Sequence, residues 1–195
     1  MNTLFPVILP VPESVICLTG RQKVRALSRH ARTAACRSAF RAGFGPLDPS
    51  GFTKTPSGVP RPRSGLYWSV SHKPSRVCGV VSRDPVGIDI EEIRPVSDRL
   101  FRRIVSGKEA EMFDVSSRKE IFFRVFTAKE AALKQFGAGL SRLDRVCVVR
   151  VDGCRQLTLA LGDVKTKVAH FYLDGCLASV TKGVFEVDWQ SAAGL

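Results

Sequence analysis

A chain of 195 residues, 44% hydrophobic and 25% charged, has the composition of a folded globular protein with room for one core or two small ones. Its 30 Lys and Arg against 18 Asp and Glu leave a net charge of +12. That argues against a small neutral apolar ligand and for a polyanion: nucleic acid, a phosphorylated cofactor or an acidic protein. No apolar run reaches the roughly 18 residues that cross a bilayer, so no membrane partner is expected. Six cysteines (Cys17, Cys36, Cys78, Cys147, Cys154, Cys176) are scattered without a C-x-x-C pair and away from His30, His72 and His170. This speaks against zinc and for reduced thiols in a cytoplasmic protein.

The opening MNTLFPVILPVP is apolar, carries three prolines and lacks a basic leader; it reads as an ordered arm, not a signal peptide. Residues 20–43, GRQKVRALSRHARTAACRSAFRAG, place Ala31, Ala34, Ala35, Ala39 and Phe40 at helical spacing and predict a helix closed by Gly43. Arg21, Arg25, Arg29, Arg32, Arg37 and Arg41 cover its other sides. They form a solvated basic face or, in part, a grip on phosphates, for which the guanidinium fork is suited. Residues 1–45 hold seven Lys or Arg against one Glu, about half of the charge excess. From Phe44 to Gly65 the chain is dense in Gly, Pro and Ser and predicts a long loop ending at Arg61 and Arg63.

Three short strands are predicted next, LYWSVSH (66–72), VCGVVS (77–82) and PVGIDIEEI (85–93). They lie too close together for a crossover helix, which predicts an antiparallel meander. In the third, Val86, Ile88 and Ile90 alternate with Gly87, Asp89 and Glu91, putting both acids on one face. Neighbouring carboxylates repel and lose solvation. The pair is either the wet face of an edge strand or part of a site for a hard cation such as Mg²⁺. Arg94-Pro95 then breaks the pattern and divides an N-terminal lobe, 1–95, from a C-terminal lobe, 96–195.

SDRLFRRIVSGKEAEMF (97–113) predicts one or two short helices. The strongest helical segment is KEIFFRVFTAKEAALKQFG, capped by Ser116 or Ser117 and ended by Gly137 and Gly139. At 100° steps, Ile121, Phe122, Val125, Phe126, Ala132, Leu133 and Phe136 share an arc of roughly 140°, with Glu130 and Lys134 on its shoulder. Those two are an i,i+4 ion pair or members of a site. Lys129 falls inside the apolar arc, and the sequence offers no reason for it. From Arg145 onward RVCVVRV, RQLTLAL, KTKVAHFYL and CLASVTK predict antiparallel strands joined by tight turns. The class is α+β: two similar small lobes, each a helix packed on an antiparallel sheet.

The Ser-His strand exit, the Asp-x-Glu strand and the Glu-x-x-x-Lys shoulder are each ambiguous alone. Together, as GVP (58–60), SVSH (69–72), VGIDIE (86–91), FTAKEAALK (126–134) and GAGLS (137–141), they resemble the 4′-phosphopantetheinyl transferase family in its monomeric surfactin-type or enterobactin-type branch. The likeness covers about residues 20–150 and implies a pseudo-two-fold arrangement of the lobes. It also implies an Mg²⁺-dependent transferase that moves the phosphopantetheine arm of coenzyme A to a serine of an acyl or peptidyl carrier protein, releasing adenosine 3′,5′-bisphosphate. By resemblance, Asp89, Glu91 and Glu130 hold the metal, and Lys134 pairs with a phosphate oxygen. Glu130, directly or through a metal-bound water, takes the serine proton. His72, with Ser71 beside it, contacts the coenzyme A phosphates, and Arg32 resembles the basic position that grips the nucleotide end. The expected unit is a cytoplasmic monomer with no nucleic-acid partner. Val59 departs from the Lys or Arg common inside the family's G-x-P loop, leaving Arg61 or Arg63 to supply that charge, and Phe126 stands where many members have Trp. The chain is short for a two-lobed member, which points to a trimmed terminus or loop. The competing reading is a basic nucleic-acid-binding module built on residues 20–43, which leaves Asp89, Glu91 and Glu130 without a purpose.

Overall fold

Strands whose apolar side chains point to both faces need a cover on each side, and two sheets and two helices provide it in four layers. The structure, a computed structural model, describes residues 3–114, 117–137 and 140–191. Ser116, Gly139 and most of GAGLS, expected to act at the ends of the long helix, lie outside the described residues or have no described side chain. In chain order come β1 (Thr3–Leu4), β2 (Val7–Pro10), α1 (Glu13–Ile16), α2 (Gly20–Arg41), β3 (Tyr67–His72), β4 (Arg76–Ser82) and β5 (Ile88–Glu92). Then follow α3 (Asp98–Ile104), α4 (Gly107–Ala110), α5 (Arg118–Gln135), β6 (Val146–Asp152), β7 (Gln156–Leu161), β8 (Val164–Leu173), β9 (Cys176–Thr181), β10 (Glu186–Val187) and β11 (Gln190–Ser191).

Helix α2 lies on the sheet β11-β2-β4-β3, burying Leu27, Ala31, Ala34, Ala35 and Ala39 against Val7, Leu9, Trp68, Val77 and Val81. The alternate residues Ile8, Cys78 and Val80 face the other way and meet Ile88, Ile90, Ala178 and Val180 of the second sheet, β5-β9-β8-β7-β6. The far side of that sheet, with Val148, Leu157, Leu159, Val168 and Leu177, packs on α5. The α+β class holds, with one long helix on each sheet.

Four local expectations change. The meander ends after two strands: β3 pairs with β4, but β5 leaves them and pairs with β9 in the second sheet. The reason lies on the faces of β5. Ile88 and Ile90 need one apolar layer and Asp89 and Glu91 a different surface, which the edge beside α5 supplies. The apolar opening is more than an arm, because β2 is a sheet strand between β4 and β11. The short strands β10 and β11, which lack a periodic signal, pair in parallel with β1 and β2. Phe136, placed in the buried arc of α5, is 36% exposed, because the helix ends as it reaches that point.

Lys129 acquires its reason. Its ammonium, buried with the side chain, donates to the Ile104 carbonyl at 2.8 Å and pairs with Glu109 at 2.9 Å. Glu109 closes the capping box of α4 with Ser106 and accepts the Val148 amide at 2.8 Å. Burial works against the Glu109 charge, but those amides and the Lys129 ammonium outweigh it and hold the carboxyl below its ordinary value. The knot fixes α4, α5 and β6 together, and removing either partner would strand a buried charge at a cost of about 3–5 kcal/mol.

His170 offers a pH test of the same half. Its Nδ1 lies 2.8 Å from Ser179 Oγ, its Nε2 is buried without a partner, and burial, with Arg124 nearby, pushes it down to about 3. Between that value and the ordinary 6.5, the unfolded chain binds a proton that the folded chain refuses, so stability is present above pH 6.5 and falls as pH drops. Relative to His170→Gln, the wild-type chain is expected to lose about 2 kcal/mol between pH 7.5 and 5 in urea titrations. Equal pH slopes for the two proteins would remove His170 as the cause.

Candidate active site

The site is set by how closely β5 approaches α5. A methyl group on Gly87 would sink into the Ala131 carbonyl oxygen and come within 2.7 Å of the Gln135 amide nitrogen, so only glycine lets strand and helix meet here. Gly79 does the same for α2, where an added Cβ would lie 2.9 Å from Ala35 Cα. With β5 held this close, Asp89 and Glu91 point from the strand toward the face of α5 that carries Glu130 and Lys134. All three acids are almost fully buried: Asp89 is 4% exposed, Glu91 8% and Glu130 8%.

Buried acids need partners, and among the described residues one oxygen each of Asp89 and Glu91 has them. Asp89 Oδ1 accepts from Ser71 Oγ at 2.7 Å and from Lys134 Nζ at 2.7 Å, and the same ammonium donates to the Ile88 carbonyl at 3.0 Å. Lys73 Nζ sits 2.7 Å from Glu91 Oε1. Ser69 Oγ accepts the Ile88 amide at 3.1 Å, which fastens β3 across β5. Asp89 Oδ2, however, is buried with no partner among the described residues.

The charges read one another. Glu130 is pushed up to about 7, first by burial and then by the Asp89 carboxylate, with Glu91 adding to the rise and Lys134 opposing it. Glu91 is raised by burial and by Asp89, against the pull of Lys73. Burial works against the Lys134 charge, but Asp89 outweighs it and holds the ammonium above its ordinary value. Three mutually repelling carboxylates are thus kept in one cluster by two ammonium groups. Among the described residues, no three His, Cys, Asp or Glu side chains form a ready-made metal cage. Lys134 and Lys73 each sit on one oxygen of the trio, Asp89 Oδ1 and Glu91 Oε1.

A cationic wall stands beside the acids. His72 is half-buried and lowered by burial and by Lys134, Lys54 and Lys73. Lys54, in the long loop, is lowered by partial burial and by Lys134 and Arg32. Alternation along β3 points Ser71 toward β5 and His72 toward the α2 side. Arg32 has a buried Nε with no partner. Of four such orphaned side-chain atoms among the described residues, two therefore belong to this cleft, Arg32 Nε and Asp89 Oδ2.

A family model described as the 4′-phosphopantetheinyl transferase superfamily matches residues 85–178. Through that segment, just under half of its length, the chain is similar to the superfamily. Among curated relatives, it is 36% identical over 89 residues to the 4′-phosphopantetheinyl transferase HetI of Nostoc sp., covering 43% of this chain and 38% of the relative. It is 34% identical over 108 residues to psf-1 of Bacillus pumilus (54% and 46%) and 29% identical over 100 residues to Sfp of Bacillus subtilis (50% and 45%). The matches thus span about half the length of these relatives, or less. Asp89, Glu91, Glu130 and Lys134 lie inside the superfamily segment; Arg32, Lys54, Ser71, His72 and Lys73 lie outside it.

All seven residues expected from the sequence, Arg32, Ser71, His72, Asp89, Glu91, Glu130 and Lys134, fall in or beside this cleft. Two were missed. Lys73 directly follows the Ser-His exit and was findable as a third polar residue on that strand end. Lys54 is isolated among Gly, Pro and Thr, with no spacing to mark it. Of Arg61 and Arg63, either of which was expected to supply the loop charge, Arg63 is used elsewhere: its Nη1 donates to the Asp48 carbonyl at 2.8 Å and its guanidinium lies over Phe52.

Proposed function

We propose that this chain is an Mg²⁺-dependent 4′-phosphopantetheinyl transferase, working as a cytoplasmic monomer on coenzyme A and an acyl or peptidyl carrier protein. The observation that carries the reading is the pairing of one buried acid trio, Asp89, Glu91 and Glu130, with four cations, Arg32, Lys54, Lys73 and Lys134, and with His72 in a single cleft. A pyrophosphate needs both, a hard cation on its oxygens and fixed positive groups around its phosphates. Magnesium suits the donor set, since Asp89 Oδ2 has a free lone pair and the three carboxylates share one negative field. Bound there, it would supply Lewis-acid charge at the pyrophosphate.

The chain's own residues account for the rest. Lys134 and Lys73 neutralise the acids in the free protein and are the nearest cations for phosphate oxygens. His72, Ser71, Arg32 and Lys54 form the end of the cleft suited to the nucleotide phosphates. The carrier serine oxygen attacks the β-phosphorus, the bond to adenosine 3′,5′-bisphosphate breaks, and Glu130 accepts the serine proton. A carboxylate raised to about 7 is matched to that task at neutral pH.

The direct experiment incubates the chain with coenzyme A, Mg²⁺ and a panel of apo-carrier domains, and reads carrier mass. One phosphopantetheine per carrier serine is expected. No mass gain on any carrier, together with no coenzyme A binding by calorimetry, sinks the reading. Lys54→Ala is expected to raise the KM for coenzyme A about tenfold, the loss of one charge-assisted phosphate contact, with kcat and the carrier KM little changed. An unchanged coenzyme A KM would remove Lys54 from the cleft's phosphate contacts.

A further inference from the structure

One face of the second sheet, across β6, β7 and β8, carries a feature that the transfer chemistry leaves unused. Register places Arg150 of β6 opposite Thr158 of β7, and Thr158 opposite Lys167 of β8. Directly opposed residues of antiparallel strands share a face. Lys182, just past β9, donates its amide to the Lys167 carbonyl at 2.8 Å and extends the row. Two register positions along, and so on the same face, Ala160 opposes Lys165. Arg150, Lys165 and Lys167 are exposed. Arg150 pairs with Asp152 at 2.7 Å, but among the described residues no carboxylate lies within 4 Å of Lys165, Lys167 or Lys182. Like charges across strands cost stability, so this ladder is a standing cost that an anionic surface would relieve.

The ladder is connected to the cleft. It lines a groove of about 480 Å³ with Val149 and Val184. Gly183 and Val184 are shared with a second groove of about 420 Å³, lined by Phe136, Gln135 and Phe185 and also by one carboxylate, Asp84, and one ammonium, Lys182. Phe136, Gln135, Pro85 and Val86 are shared in turn with a third, of about 240 Å³, which includes Lys134. The track thus runs from Lys134, over exposed Phe136 and Val184 (36% and 87%), to the lysine ladder. An apolar middle with a charged rim is the anatomy of a protein-docking surface.

We infer that this track docks the acceptor: an acidic protein domain that sets its apolar side on Phe136 and Val184 and its carboxylates on Lys165 and Lys167 while its serine enters beside Lys134. The inference rests on the transferase reading and adds the surface by which the acceptor is chosen. Opposite charge selects an acidic partner, and continuity with Lys134 selects the partner that must deliver a group to the cleft.

The test is K165E/K167E, two exposed positions outside the cleft, assayed with the carrier domain that gains mass with the wild-type chain. The expected result is a carrier KM raised about tenfold or more, with kcat and the coenzyme A KM unchanged. The wild-type carrier KM should climb with ionic strength while that of the variant stays flat. A carrier whose acidic residues are changed to Lys should recover on the variant. An unchanged carrier KM overturns the docking surface and leaves the transferase reading standing. Loss of duplex-DNA binding with an unchanged carrier KM also overturns it, giving the ladder to nucleic acid. If the wild-type chain transfers to no carrier, both readings fall together.

Discussion

Asp89→Asn is expected to cut transfer by on the order of a thousandfold while the chain still folds. The substitution keeps the shape of the side chain, and its carbonyl oxygen can still accept from Ser71, whose hydroxyl now donates at 2.7 Å. What it removes is charge. The two Asp89 oxygens do different things, Oδ1 holding Lys134 and Ser71 while Oδ2 stays buried and free. The amide nitrogen of Asn brings a donor where a cation would need an acceptor, and Lys134 loses the counter-charge that keeps it in place. Glu130 loses its largest electrostatic perturber, so its pKa should fall from about 7 toward the ordinary carboxylate range. The measurements are carrier mass gain across an Mg²⁺ titration, with circular dichroism and thermal unfolding as controls for the fold. Wild-type rates in a folded Asp89→Asn chain would sink the assignment of Asp89 to the metal. A rate restored by excess Mg²⁺ would show that Asp89 contributes affinity alone.

Gly87→Ala is expected to be the costliest glycine-to-alanine change among the described residues. The added carbon has no flexible side chain to push aside: its neighbours are the Ala131 carbonyl and the Gln135 amide, the backbone of α5 itself. Helix and strand must therefore separate, and overpacking of this kind costs about 3 kcal/mol. The same movement pulls Lys134 from Asp89, so activity should fall even at temperatures where the variant is folded. Chemical denaturation gives the first effect, and the transfer assay at low temperature the second. A variant with wild-type stability would mean that β5 and α5 are less tightly apposed than described.

Much of this was legible in the sequence, for identifiable reasons. Element types followed from periodicity, since α2, α5 and β6 to β9 have long regular patterns with turns between them. The candidate site residues were proposed from motif order. What was not legible depends on partners far away in sequence. Asp89 and Glu91 can be placed on one face of a strand locally, but the partner strand of β5 is chosen by Cys176 to Val180. Lys129 looked misplaced because its reason, Glu109 and the Ile104 carbonyl, lies in two other helices. Strands β10 and β11, two residues each, are too short to carry a period at all.

The pairing of β11 with β2 bears on how the chain is made. Val7 sits beside Gln190, and Ile8 beside Ser191, so one edge of an early strand waits for residues synthesised far later. Closing so long a loop is among the slow events of folding. Until it closes, β2 offers an open, apolar edge to any other strand it meets. Chains interrupted before Gln190 are therefore expected to aggregate through β2 even though every residue of the acid trio is already present. A tag or fusion near Ser191 should be judged by solubility before it is judged by activity.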